Sequence, residues 1–90
     1  MLLNEKKRGI SGYRVQIHFG SQREPAKEIK SKFLAAYPET PAYEIYQQPN
    51  YKIRVGDFRT RLEAFRFLKE IQKDFSGSFL VTDDINFPPL

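Results

Sequence analysis

The sequence contains no cysteine. Disulfide bonds are therefore excluded, and so are metal sites and nucleophiles built on cysteine. His18 is the only histidine, so a metal site with several histidines is impossible, and a Ser-His-Asp arrangement would depend on this one side chain. We interpret His18 as a polar residue of a sheet face rather than as a catalytic group.

Other catalytic signals are missing as well. Gly56 has no companion glycines at phosphate-loop spacing, and neither a P-loop nor a dinucleotide fingerprint occurs. Asp83 and Asp84 are adjacent near the end of a predicted strand, where their side chains point to opposite sides, and we interpret them as turn or capping residues. We therefore predict no catalytic residues, no metal site and no cofactor, and we do not expect an enzyme.

No apolar run approaches the roughly 20 residues that cross a bilayer. Residues 1–6 lack the long apolar stretch of a secretory signal, although a chain cut from a longer protein would look the same. Polar residues, a basic run and two glycines predict a flexible basic leader at residues 1–12. The domain itself is expected at residues 13–83, followed by a loose tail at residues 84–90.

Length and charge bound the remaining possibilities. The chain has 90 residues, 40% of them hydrophobic, which fits one compactly packed domain and leaves no room for a second. The formal net charge of +4 is a modest excess that favours an anionic partner. Nucleic acid, phospholipid and acidic polysaccharide all remain candidates at this point.

The sequence contains roughly the same unit twice. Residues 13–17 (Tyr-Arg-Val-Gln-Ile) lead into a helical pattern around Ala26, and residues 51–55 (Tyr-Lys-Ile-Arg-Val) lead into one around Ala64. Both the strand and the helix recur after 38 residues. A strand followed by an amphipathic helix cannot bury its apolar side alone, so the two copies are expected to form one small domain.

The first copy predicts a strand and a helix. Residues 13–19 alternate as a half-buried strand, with Tyr13 and Phe19 among the side chains directed inward. The helix begins with a capping box of Ser21 and Glu24, or with Pro25 as its first residue. Its predicted inner face consists of Ala26, Ile29, Phe33 and Ala36.

The second copy adds a hairpin. Residues 43–47 and 51–55 are predicted to pair as antiparallel strands around a turn that contains Pro49. Thr60 and Glu63 form a capping box, and a last strand is expected at residues 79–82. The helix between them has an apolar face made of Ala64, Leu68, Ile71 and Phe75.

The order βαββαβ predicts an α+β fold, in which a four-stranded antiparallel sheet carries both helices on one face in a ferredoxin-like arrangement. The other face stays free, and we expect function there. Alternation assigns to this face Arg14, Gln16, His18, Lys52 and Arg54. Ile45 is directed to the core, so the second strand adds Glu44, Tyr46 and Gln48.

Two ligand classes suit such a face, carbohydrate and single-stranded RNA, because Arg and Gln offer directed donors and a Tyr ring covers a sugar or a base. The element order resembles the RNA-recognition motif, whose third strand carries stacking rings. Here that strand offers Lys52 and Arg54 instead, so RNA is the weaker alternative and nucleic acid is not the expected partner. A protein-docking adaptor is a further alternative.

Residues 54–64 (Arg-Val-Gly-Asp-Phe-Arg-Thr-Arg-Leu-Glu-Ala) resemble the second-half motif of the sporulation-related repeat, or SPOR domain. That motif runs Arg-Val-Gly-Pro-Phe, then Ser/Thr-Arg or similar, then Glu-Ala. Residues 15–17 (Val-Gln-Ile), with Ala26 ten residues after Gln16, match the first-half motif, in which Val-Gln-aliphatic-Gly-x-Phe leads to a helix. The resemblance spans residues 13–83.

The chain departs from the family pattern at two places. Asp57 replaces the usual Pro, which we expect to change only a loop. In the first half, Gly-x-Phe becomes His18-Phe19-Gly20, so that His18 adds a side chain where the family often has none.

The resemblance implies a noncatalytic module of the bacterial cell envelope that binds peptidoglycan. It implies a preference for glycan strands stripped of stem peptides, as arise at division septa, and a periplasmic location. Other envelope or division proteins are further candidate partners.

The predicted glycan-binding residues come from two sources. The resemblance places Gln16 and Arg54 on strands of the binding side, and alternation adds Arg14, His18, Tyr46 and Lys52. The basic residues match the free lactyl carboxylates of stripped glycan, Gln16 would read acetamido or hydroxyl groups, and Tyr46 would pack on a pyranose face. The alternative explanations are that the basic residues serve only solubility, or that Arg54 forms a cross-strand salt bridge with Glu44.

Overall fold

Four strands and two helices follow one another in the order βαββαβ in the computed structural model, which describes residues 10–86. The predicted α+β class is confirmed. The strands are β1 (Ile10–Gly20), β2 (Ala42–Gln47), β3 (Asn50–Phe58) and β4 (Phe79–Ile85), and the helices are α1 (Arg23–Ala36) and α2 (Arg61–Ile71).

The four strands form one antiparallel sheet in the order β2-β3-β1-β4. The central pair, β1 and β3, therefore consists of the two repeated strands. The hairpin expected between the second and third strands is confirmed as β2 and β3. Both pairings of β1, with β3 and with β4, therefore join the first copy of the repeat to the second.

Both helices pack on the same face of the sheet, because residues from each belong to one hydrophobic core. Phe33 of α1 and Ile71 of α2 are fully buried, as are Val15, Ile53 and Val55 of the central strands. The ring centroids of Phe33 and Phe75 lie 5.8 Å apart, so aromatic packing closes the space between the helices. Neither helix of residues 10–86 covers the opposite face of the sheet.

The two helices begin differently. The side chain of Thr60 accepts a hydrogen bond from the backbone N–H of Glu63 at 3.2 Å, so the predicted cap of α2 is confirmed. Helix α1 has Gln22 at its N-cap and no side-chain cap, so the predicted Ser21 capping box is wrong. Pro25 lies in the first turn, where its missing N–H leaves no helical hydrogen bond unmade.

Strands β1 and β4 extend further than alternation predicted. Strand β1 begins at Ile10, where the leader was expected, because residues 10–12 pair with the end of β4. Gly12 allows this pairing, since a Cβ there would overlap the side chain of Ile85. Strand β4 ends at Ile85, so Asp83 and Asp84 are strand residues and their interpretation as turn or capping residues is wrong.

Residues 1–9 and 87–90 lie outside the described part of the chain, and most of the predicted leader and tail falls there. Within residues 10–86, neither helix has the length and apolar character needed to span a membrane.

Candidate functional site

We call the sheet face opposite the helices the outer face. Residues that are directly opposite each other on antiparallel strands share a face, so the register assigns each side chain. The outer face carries Gln16, Phe19, Tyr43, Ile45, Lys52, Arg54 and Phe79. Hydrogen bonds bring Arg14, Asp57 and Asp83 into its polar centre.

Arg54 holds the middle of the outer face. Its Nε donates to Oε1 of Gln16 at 2.9 Å, and its Nη1 donates to Oδ2 of Asp83, also at 2.9 Å. Gln16 is only 5% exposed, whereas the Arg54 side chain is 18% exposed. Arg54 therefore presents more surface to a ligand, and Gln16 fixes the plane of its guanidinium group.

Arg14 is 7% exposed and is enclosed by partners. Its Nε and Nη2 both donate to Oδ1 of Asp57, at 3.2 and 2.9 Å, and its Nη1 donates to Oδ2 of Asp83 at 3.2 Å. The guanidinium carbon lies 4.1 Å from the ring centroid of Tyr43, in cation–π geometry. Arg14 therefore holds Asp57 and Asp83 in place and does not present a free charge to a ligand.

Asp57 does much more than change a loop, so that expectation is wrong. Besides Arg14, its carboxylate accepts hydrogen bonds from the Tyr43 hydroxyl and from the backbone N–H of Asn86, the latter at 3.1 Å. A register shift in β3, with Gly56 at φ 83°, turns Asp57 toward these donors. A proline here would supply no side-chain acceptor for the three partners.

The environment shifts two pKa values at this site. Burial is the main factor that raises the pKa of the Tyr43 hydroxyl, and its hydrogen bond to Asp57 adds to the rise. Burial also tends to raise the pKa of Asp83, but hydrogen bonds from Arg54 and from the Asp84 backbone, with the charge of Arg14, lower it overall. Asp83 is therefore ionised and Tyr43 neutral at neutral pH.

The charges at the centre of the outer face balance. Two arginines, Arg14 and Arg54, are paired with two carboxylates, Asp57 and Asp83. The alternative explanation of Arg54, a salt bridge with Glu44, is wrong: Glu44 lies on the helix side, where its Oε2 is 3.8 Å from Nε of Arg23.

Lys52 supplies a cation at the margin of the outer face. Its Nζ donates to Oε1 of Gln47 and lies 5.9 Å from the ring centroid of Phe19. No ion pair joins it to a carboxylate of residues 10–86. The outer face therefore has a neutral centre and a positive margin.

The prediction that His18 lies on the outer face is wrong. A register shift between Gln16 and His18 inserts one residue into β1, after which His18 pairs with the buried Ile53 and Phe19 pairs with Lys52. His18 consequently lines a small cavity with Pro25 at the start of α1, on the helix side. Phe19 takes its place on the outer face and is 56% exposed.

The prediction that Tyr46 lies on the outer face is also wrong, because β2 has the opposite phase to the one inferred. Tyr43 pairs with Arg54 and Ile45 with Lys52, so Tyr46 and Glu44 are directed to the helix side. The Tyr46 ring stacks on Tyr51 with a centroid separation of 4.6 Å.

The remaining predicted residues do come together. Arg14, Gln16 and Arg54 form one hydrogen-bonded cluster, and Lys52 lies beside it.

Sequence reasoning missed two features of the outer face. Phe79 is 50% exposed and lies opposite Gln16. Its strand begins with three consecutive apolar residues, so alternation does not show which of them are directed to the outer face. Asp83 carried no signal in the sequence, and Asp57 was notable only as the residue that replaces the usual Pro. A carboxylate that pairs with Arg54 could be anticipated only if β4 were known to lie two strands away.

Comparison with known proteins identifies the family. Searches of curated proteins and of solved structures gave no match. The family model described as the SPOR domain matches residues 9–82. SPOR domains are noncatalytic modules that bind peptidoglycan and target the division septum. Because the match covers most of the sequence and the strands and helices follow the expected order, this chain belongs to the SPOR domain family.

Proposed function

We propose that this protein binds peptidoglycan glycan strands that have lost their stem peptides, and that it does so through the outer face. The observation that carries the proposal is a sheet face that neither helix of residues 10–86 covers, and that presents a held guanidinium group together with exposed rings, in a chain of the SPOR family. Binding in this way would direct the protein to the cell envelope and the division septum.

The outer face offers the two kinds of contact that a glycan needs. Phe19 and Phe79 expose apolar ring surface on which a pyranose can pack. Arg54 is on the same face: Gln16 is opposite Arg54 on one side and opposite Phe79 on the other, and Phe19 is opposite Lys52. Among the described residues Nη2 of Arg54 makes no hydrogen bond, so it is available to hydroxyl and acetamido oxygens. Exposed rings and a directed donor on one face suit a sugar better than a flat hydrophobic partner.

Lys52 is the group best placed for a lactyl carboxylate. Removal of the stem peptide frees this carboxylate. Lys52 lies at the margin of the outer face, and its ammonium group has no carboxylate partner within residues 10–86. Arg14 and Gln16 act as positioning residues for Arg54, because both are almost fully buried.

Cosedimentation with purified sacculi, before and after amidase treatment, tests this function. The wild-type protein should bind amidase-treated sacculi more tightly, and Arg54→Ala should weaken that binding at least about tenfold through the loss of a charge-assisted hydrogen bond. Arg66→Ala is the matched control, since Arg66 is exposed on α2 and its removal changes the net charge equally. Equally poor binding of both kinds of sacculi by the wild type would exclude the proposal.

Salt dependence separates this function from RNA binding, the alternative that the family does not favour. A protein that neutralises phosphates of single-stranded RNA loses affinity with a slope of about −0.7 per contact. The outer face pairs its two central arginines internally, so glycan binding should depend only weakly on salt. Tight, steeply salt-dependent RNA binding without glycan binding would favour the alternative.

A further inference from the structure

The carboxylate of Asp83 lies between the guanidinium groups of Arg54 and Arg14. Its Oδ2 accepts from Nη1 of Arg54 at 2.9 Å and from Nη1 of Arg14 at 3.2 Å. Its Oδ1 accepts from the backbone N–H of Asp84 at 2.8 Å. Both oxygens are therefore held, and the negative charge stays fixed between two guanidinium groups.

Asp83 cannot move away without breaking these contacts. Arg14 is fully engaged, since Asp57 accepts from its other nitrogens. Arg54 keeps only Nη2 for a ligand, because Nε donates to Gln16 and Nη1 to Asp83. An anionic ligand group that approaches Nη2 would therefore be repelled by Asp83, which is bound to Nη1 of the same guanidinium group.

Neutral ligand groups meet no such penalty. A carbonyl oxygen of an acetamido group accepts from Nη2 without repulsion, and a sugar hydroxyl can donate to a carboxylate oxygen of Asp83 while it accepts from Arg54. Like charges brought together in a partly buried site are unfavourable, whereas a hydrogen bond to a fixed charge is favourable.

We propose that Asp83 is a specificity-determining residue, which reserves Arg54 for neutral acetamido and hydroxyl groups of the glycan and disfavours carboxylates there. This inference rests on the proposed function, because it concerns which part of a glycan strand contacts Arg54. Lactyl carboxylates are then bound at the margin beside Lys52 rather than at the centre of the outer face.

The test compares two ligands that differ in one group. Denuded glycan oligomers are titrated with their lactyl carboxylates free and with the same carboxylates converted to neutral amides. For the wild type, converting the lactyl carboxylate to an amide should weaken binding less than about threefold at about 0.15 M salt. The reason is that Arg54 binds neutral groups of the glycan and does not contact this carboxylate. A wild-type preference of about a hundredfold for the free carboxylate would overturn the proposal.

The variant Asp83→Asn keeps the shape of the side chain and removes its charge. It should raise the preference for the free carboxylate over the amide about tenfold relative to wild type, because the guanidinium of Arg54 is no longer neutralised. Asp84→Asn is the matched control: Asp84 is the neighbouring exposed residue, and the net charge changes equally. This control should leave the preference near the wild-type value.

The outcomes distinguish the two levels of the proposal. Equal effects of Asp83→Asn and Asp84→Asn, or none from either, would overturn the role of Asp83 while leaving glycan binding intact. Failure of the wild type to bind either oligomer would overturn the proposed function and the role of Asp83 with it. Thermal melting of each variant checks folding, and the wild-type comparison of the two ligands does not depend on any variant.

Discussion

Gln16 and Arg54 occupy equivalent positions in the two halves of the chain, 38 residues apart, and they hydrogen bond to each other at 2.9 Å. They are directly opposite on the central strands β1 and β3. The internal repeat therefore joins two copies of one position into a single polar centre. Because each copy carries a different side chain, the centre has one group that accepts a hydrogen bond from its partner and one group that donates it.

Loss of Asp57 should destabilise the protein. Asp57→Ala removes an acceptor of Arg14, Tyr43 and the Asn86 backbone, and Arg14 keeps only Asp83 as a carboxylate partner. Breaking the buried ion pair of Arg14 and Asp57 should cost about 3 kcal/mol. Urea unfolding of the variant measures this loss. Asp84→Ala, at an exposed position, should stay within about 0.5 kcal/mol of wild type, and similar values for both variants would contradict the structural role of Asp57.

Truncation of the α2 core face should also be costly. Leu68→Ala and Ile71→Ala should each lower the free energy of unfolding by about 2–5 kcal/mol, because both side chains are buried beneath the sheet. Leu62→Ala is the control, since Leu62 lies on the exposed side of the same helix. A cost at Leu62 that matches the cost at Leu68 would show that the helix packs by another face.

Stability should fall in acid through Asp83. Its pKa is lower in the folded protein than in the unfolded chain, so its contribution is fully present above about pH 4 and is lost as the pH falls through the folded value. Urea unfolding from about pH 7 to about pH 3 should therefore show a steeper loss for wild type than for Asp83→Asn. Parallel curves for the two proteins would contradict the hydrogen bonding assigned to Asp83.

Only aromatic rings on the outer face should contribute to glycan binding. Phe19→Ala should weaken glycan binding about tenfold by removing an exposed ring from the outer face, and the loss should persist at high salt. Tyr46→Ala removes an equally exposed ring from the helix side and should leave binding unchanged. Titration of one glycan oligomer with both variants checks this, and the reverse result would place the binding face on the helix side.

Much of the fold could be predicted because the pattern repeats. The periodicity of residues such as Leu68 and Ile71 predicted α2 and its buried face, and the capping box at Thr60 predicted where it begins. Gln16 and Arg54 were assigned to one face correctly, because Val15 and Val55 beside them are buried.

The errors arose where one residue changed the phase. Alternation has a period of two, so the single extra residue in β1 exchanges the sides of His18 and Phe19. In β2, apolar side chains occur in both phases, and only pairing with β3 shows that Tyr43 rather than Tyr46 shares the face of Arg54.

The sequence by itself determined the order of the strands and helices, the hydrophobic core and the two halves, since these follow from local periodicity and from apolar burial. Only the tertiary structure decided that Arg54 reaches Asp83 across β1, and that Asp57 accepts hydrogen bonds from both Arg14 and Tyr43. These contacts join residues far apart in the chain, and their geometry depends on strand register and on register shifts. Charge pairing is set by distance in space, which no spacing along the sequence specifies.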